Sequence, residues 1–210
     1  MKFSHSASLE VIDLGRADYV ETTDYMLELV NQIVNKGRED CLLVAEFDSV
    51  LTVGRGARIS PYLELDIPVH EVSRGGKVTY HGPGQLVVYP LLSLKGQARD
   101  LHAYLYALEE SIINTMAEFG LEGTRDSRNT GCWVNSLKIA SIGVAVRKWV
   151  TYHGLALNVA TDLNQFNLFD PCGLDSNVMT NMQQQLCNPD LTLEEVKPVA
   201  IKAIREMLIN

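Results

Sequence analysis

Apolar positions recur in this chain with two periods, and the periods divide it into helices and strands. From Tyr19 to about Asn35, Met26, Val30, Ile33 and Val34 share one helical face. Asp18 stands where that helix needs a cap and Gly37 where it should stop. From Asp100 to Phe119 the spacing predicts a second helix, with Leu101, Leu105, Leu108, Ile112 and Met116 as its buried stripe and Gly120 closing it. His102 on this helix reads as a surface residue. A third helical pattern starts at Thr192, where Glu195 completes a capping box and Ile201, Ile204 and Leu208 form a core face. Pro198 predicts either a restart, with the proline as first residue, or a bend.

The strands read between these helices. Val11 to Leu14 is a short one, followed by a turn from Gly15 to Asp18. Leu42 to Glu46, Val50 to Val53 and an extended Ile67 to Val72 come next. Gln85 to Leu92 is apolar on both faces, the pattern of a strand covered on both sides. Lys138 to Val146 and Val150 to Val159 predict a hairpin turned at Arg147-Lys148. Alternation puts His153 on the face of Leu155, Leu157 and Val159, and Gly154 beside it leaves room for something to approach. Two stretches follow neither period. Glu122 to Asn135 is polar and irregular. Arg74 to Gln85 is glycine-rich and carries Arg74, Lys77 and His81; it reads as a loop whose backbone amides wall a substrate pocket.

Strands and helices mix without a repeat, a low-complexity linker or a clear boundary, so the 210 residues are expected to form one domain, 1–210. An apolar share of 46% suffices for a full core. A net charge of -8 argues against a general nucleic-acid binder. No apolar run approaches the ~18 residues of a membrane span. Met1 to Ser8 lacks the apolar core of a secretion signal, so a cytoplasmic protein is expected.

The four cysteines form no CxxC pair, and no metal site is expected. Cys41 and Cys132 read as core thiols and Cys187 as a loop residue. Cys172, between Pro171 and Gly173, reads as a more exposed thiol. Attack on a carbonyl needs its thiolate, which a nearby cation favours. Lys138 is a candidate cation because it heads an otherwise apolar strand, where a lysine breaks the pattern. The plain alternatives are a solvated strand-end charge and a structural loop cysteine.

Four blocks in order decide between these readings. They are Arg74-Gly75-Gly76-x-x-Thr79-x-His81-x-Pro83-Gly84-Gln85 with Tyr89-Pro90, Lys138-Ile139-Ala140-Ser141-Ile142-Gly143, His153-Gly154-Leu155-Ala156-Leu157-Asn158, and Pro171-Cys172-Gly173. Together they resemble the octanoyltransferase family of lipoyl biosynthesis, the lipoyl(octanoyl) transferases, from about Leu14 to Thr180. The resemblance implies an α+β fold, a mixed sheet packed by helices as in the catalytic domains of biotin and lipoate protein ligases. It implies transfer of an octanoyl group from acyl carrier protein to a lysine on lipoyl domains: E2 subunits of 2-oxoacid dehydrogenases and the H protein of glycine cleavage. Cys172 would be the nucleophile, Lys138 the acid/base. Arg74, Gly75, Gly76, Lys77, Val78, Thr79, Tyr80 and His81 would line the acyl site with Ser141, Ile142, Gly143, His153, Gly154, Leu155 and Ala156. A cofactor-free monomer that binds neither nucleic acid nor membrane is expected. The chain departs from the family around Ala45-Glu46-Phe47-Asp48, where a His-Pro commonly follows the glutamate. Two rival readings are an ATP-dependent lipoate ligase, which needs no Cys172, and a non-catalytic binder of acyl chains or lipoyl domains.

Overall fold

The structure, a computed structural model, describes residues 3 and 9–209 and all their side chains except those of Gln97 and Cys172. Helix α1 spans Tyr19–Lys36. Its Asp18 cap accepts a hydrogen bond from the Glu21 amide at 2.9 Å, and Gly37 ends it in the left-handed conformation. Helix α2 spans Leu101–Glu118, capped by Asp100; a short α3 covers Met182–Leu186 and α4 covers Leu193–Ile209. The capping box at α4 forms, with the Thr192 amide donating to Glu195 at 2.8 Å.

The strands are β1 (Glu10–Ala17), β2 (Cys41–Phe47), β3 (Val50–Val53), β4 (Val69–Glu71), β5 (Val78–His81), β6 (Gln85–Leu91), β7 (Gly131–Val134), β8 (Leu137–Arg147) and β9 (Val150–Asn158). Among the described residues they form a six-stranded sheet, ordered β1-β2-β6-β9-β8-β7, and a three-stranded sheet, β4-β3-β5. Both are mixed: β1 runs parallel to β2 and β3 to β4, and the other pairs are antiparallel.

The doubly apolar pattern of β6 has a direct structural counterpart. Leu86 and Val88 face one core, with Leu108, Ile112 and Met116 of α2 and Ile204 and Leu208 of α4. Val87 and Tyr89 face another, with Met26, Val30 and Ile33 of α1. The small sheet has its own core of Leu51, Val53, Val78 and Tyr80 against Phe166 and Phe169. No helix among the described residues is long and apolar enough to cross a membrane.

Several expectations are corrected. The segment from Gly15 is not a turn: β1 runs on to Ala17 through a register shift, with Gly15 at φ +60°. Leu101 is 37% exposed and Leu105 half-buried; the covered side of α2 carries Tyr104, Ala107, Leu108, Ser111, Ile112, Thr115 and Met116. Ser111 and Thr115 can face the core because their hydroxyls donate to the Leu108 and Ser111 carbonyls, both at 2.7 Å. The glycine-rich stretch contains β5, fully buried and paired with β3, and the irregular stretch ends in buried β7. The β8–β9 hairpin turns one residue later than expected, at Lys148 and Trp149, both with positive φ. Helix α4 starts at Leu193, and Pro198 lies inside it rather than opening it. An amide there would have donated to the Glu194 carbonyl in the first turns, so one helical bond is forgone.

Candidate active site

The β8–β9 end of the large sheet floors a cavity of about 330 Å³. That lies at the small end of the ~300–1,000 Å³ typical of small-molecule sites. Ser141, Ile142 and Gly143 of β8 line it with His153, Gly154, Leu155 and Ala156 of β9. Arg74, Gly76, Lys77, Thr79 and His81 form the opposing wall. Tyr19, Gly56, Tyr89 and Asn129 complete the lining; none was singled out from the sequence as a site residue. Tyr89 falls in the doubly apolar strand and Tyr19 opens the first helix, while Asn129 sits where no period exists.

Three residues expected in the lining sit elsewhere. Val78 and Tyr80 alternate with Thr79 and His81 along β5, so they point into the small core. The Gly75 amide donates to the Val144 carbonyl at 2.9 Å and ties the wall to β8.

Arg74 is buried and its guanidinium shapes the wall. It donates to the Thr52 carbonyl and hydroxyl, each at 2.8 Å, to the Lys77 carbonyl at 2.9 Å and to the Gly75 carbonyl at 3.0 Å. The wall also packs too closely for side chains: a Cβ on Gly54 would lie 2.6 Å from the Gly76 carbonyl oxygen.

His81 belongs to a chain of buried amides. The Gln85 side-chain nitrogen donates to the Tyr80 carbonyl at 3.1 Å and to Asn158 Oδ1 at 2.9 Å. Its Oε1 therefore accepts from His81 Nδ1 at 2.7 Å, which leaves Nε2 as the unprotonated nitrogen. Asn158 in turn donates to the Thr180 carbonyl at 3.0 Å, and the Thr180 amide to the Lys138 carbonyl at 3.0 Å. Burial pulls the His81 pKa down to about 4, opposed by the Gln85 bond and aided by Arg74.

His153 does not share the face of Leu155 and Leu157. Those two join the core under α2 and α4, whereas the His153 ring lines the cavity and meets Tyr89 edge-on at 5.6 Å. The cause is its backbone, at φ +55°, which breaks the strand alternation. Such a conformation costs a non-glycine residue about 1–3 kcal/mol. Burial, then Arg74 and His81, depress its pKa to about 3. The room that Gly154 leaves is used. What approaches it is strand β6, since a Cβ would lie 2.3 Å from the Val88 carbonyl oxygen.

Lys138 is fully buried, and its amine donates to Asn129 Oδ1 at 2.7 Å, with the Trp133 ring centroid at 5.8 Å. A Cβ on Gly131 would lie 2.2 Å from the Ala140 carbonyl oxygen and 3.0 Å from Lys138 Cε, so that glycine admits both the close approach of β8 and the lysine stem. Through Asn129 the amine adjoins the cavity. The Cys172 side chain lies outside the described residues. Its backbone belongs to the 3₁₀ turn Pro171–Gly173, which packs against β5. A Cβ on Gly173 would lie 2.4 Å from Lys77 Nζ, so the Lys77 side chain crosses this turn. Lys77 also lines the cavity, and the turn thereby adjoins it. Cys41 and Cys132 are buried, and burial raises their thiols to about 11 and about 12, values of inert thiols. Cys187 is exposed at the end of α3.

The family model of the lipoyl protein ligase A/B catalytic domain matches residues 18–205. The octanoyltransferase of Gloeobacter violaceus is 42% identical over 90% of this chain and 85% of its own. That of Syntrophotalea carbinolica is 40% identical over 95% of this chain and 94% of its own. Among solved structures, lipoate-protein ligase A bound with ATP has a TM-score of 0.77 at 16% identity, over 95% of this chain and 85% of that one. The bi-partite lipoate protein ligase of Thermoplasma acidophilum, described with its E2 lipoyl domain, has a TM-score of 0.70 at 18% identity, over 95% and 84%. At such identities the structural likeness shows the fold, the α+β fold expected of lipoate ligases. The sequence likeness goes further: this chain belongs to the lipoyl protein ligase A/B catalytic-domain family and, within it, to the octanoyltransferases, acyltransferases of protein lipoylation.

Proposed function

We propose that the enzyme takes an octanoyl group from octanoyl-acyl carrier protein onto Cys172 and passes it to a lysine of a lipoyl domain. The observation that carries this reading is the Lys138 amine, withdrawn from water and held by Asn129 beside a mostly apolar cavity. Lysines that exchange protons in catalysis are buried ones. In the first step the Cys172 thiolate attacks the carrier's thioester carbonyl. A new carbon–sulfur bond forms, the old one breaks, and the carrier thiolate leaves with the proton that Lys138 took from Cys172. One thioester replaces another, so no ATP is needed. In the second step the acceptor lysine, as a neutral amine, attacks the Cys172 thioester. The amide forms, Cys172 leaves as the thiolate, and the surplus amine proton passes to Lys138. Backbone amides of Ser141 to Gly143 would hold the carbonyl oxygen while it carries charge.

His81 and His153 stay neutral in this scheme and serve as lining. E2 subunits and the glycine cleavage H protein are the acceptors this reading names. The E2 lipoyl domain described with the Thermoplasma ligase supports the first. The test is turnover with octanoyl carrier protein and a lipoyl domain in the absence of ATP. Wild type should transfer and Cys172→Ser should not. A strict ATP requirement, or ordinary turnover by Cys172→Ser, overturns the reading in favour of a ligase.

A further inference from the structure

Strand register gives the cavity two ends. Lys138 lies near the start of β8, and Val144 six positions on (144 minus 138). At the strand rise of ~3.3 Å per residue their backbones are on the order of 20 Å apart. His153 is the cross-strand partner of Val144, and Gly143 pairs with Gly154 without a slip. Lys77 and Asn129, which touch the Cys172 turn and the Lys138 amine, mark the reacting end. His153, with Tyr89 against its ring, marks the other.

The β8–β9 register passes through His153 unbroken, so its positive φ does not mark a slip in that pairing. What φ +55° accomplishes is to turn the ring from the α2/α4 core into the cavity. Costly backbone conformations persist where the surroundings enforce them, and they gather at ligand clamps. Met26 of α1 helps to enforce this one, its sulfur accepting from the His153 amide at 3.4 Å. The ring is buried and stays uncharged at neutral pH, so it closes the slot as a solid neutral wall.

We propose that the His153 imidazole is the end stop of the acyl slot and sets the longest acyl chain the enzyme accepts. This rests on reading the cavity as the acyl site. An acyl thioester anchored at the reacting end extends along the Ser141–Gly143 floor toward the ring. Each methylene beyond the available length must displace the ring or buckle against it.

The test is competition between carrier proteins loaded with eight-, ten- and twelve-carbon acyl chains, read as ratios of kcat/KM. His153→Gly removes the ring and suits the left-handed backbone, so the hairpin keeps its fold. It should raise the ten-to-eight ratio by at least about tenfold, since one methylene in an apolar pocket is worth ~10–200-fold in discrimination. His153→Asn, which also tolerates positive φ, is shorter than histidine and should give an intermediate shift. A uniform loss of activity at all three lengths, or ratios within twofold of wild type in both variants, overturns the end stop. Turnover surviving Lys138→Met or Cys172→Ser would instead strike the reading of the site, whatever the ratios show.

Discussion

The two faces of the large sheet use the same strands differently. On one, α2 packs on β7, β8 and β9 and α4 on β6, and the space between fills with Leu42, Val44, Leu108, Ile112 and Leu157. On the other, α1 packs on β9 and shares a core with residues of β2 and β6, but a glycine-rich wall in place of a helix covers the cavity over β8 and β9. The face under α2 and α4 buries few polar side chains, among them Ser111 and Thr115, whose hydroxyls bond within their own helix, Thr151, which donates to the Pro90 carbonyl, and Lys197, which pairs with Asp13 and Glu194. Where helical cover ends, the buried groups are Arg74, His81, Lys138 and His153. The wall can do this because its glycines let Arg74 reach carbonyls of three residues at once. The candidate slot is thus made where a helix layer stops short, with the strands beneath unchanged.

The largest effect that would sharpen this contrast lies on the wall side. Lys138→Met should lower single-turnover transfer by ~10²–10⁴, the usual contribution of a positioned acid/base. Its melting temperature should stay close to wild type, because a methionine of similar length fills the same buried space. A large drop in melting temperature with little kinetic loss would make Lys138 structural and break the contrast. On the helix-covered face, Leu108→Ala should cost about 2–5 kcal/mol in denaturant unfolding and leave relative rates on different acyl lengths unchanged. Asn129→Ala comes next. Losing a hydrogen bond to a buried amine, about 1.5–3 kcal/mol, should slow transfer ~10–150-fold, most visibly in kcat.

A further effect is that of pH on stability. His81 and His153 have folded pKa values of about 4 and about 3, below the unfolded value near 6.5. Between these values the unfolded chain holds more protons than the folded one. Stability should therefore fall as pH drops from about 6.5 toward 4, by on the order of 1 kcal/mol per pH unit for each histidine. The denaturant midpoint of His153→Gly should fall less steeply with falling pH than that of wild type, since the variant lacks one of the two groups.

Local chemistry explains what was legible in the sequence. Asp18 and Gly37 bound α1 by contacts with their own neighbours, and β6 declares two-sided burial through apolar residues at every position. Lys138 stood out because a charge in an apolar strand breaks the pattern. What escaped depends on distant partners. Val78 to His81 reads as loop beside its glycines, and β3 makes it a strand. Asn129 acquires its role from Lys138, nine positions on in sequence. His153 was placed on the wrong face because alternation assumes extended backbone at every step, and one left-handed residue reverses it. Ser111 and Thr115 count as polar in any hydrophobic pattern, yet their hydroxyls are satisfied within the helix and they join the core.

The passage of the acyl group through Cys172 is tested most directly by intact mass after mixing the enzyme with octanoyl carrier protein, without ATP or acceptor. Wild type should gain one octanoyl group, released by hydroxylamine as a thioester is, and Cys172→Ser should gain none. An adduct that survives in Cys172→Ser, or turnover by a wild-type enzyme that never forms one, contradicts it.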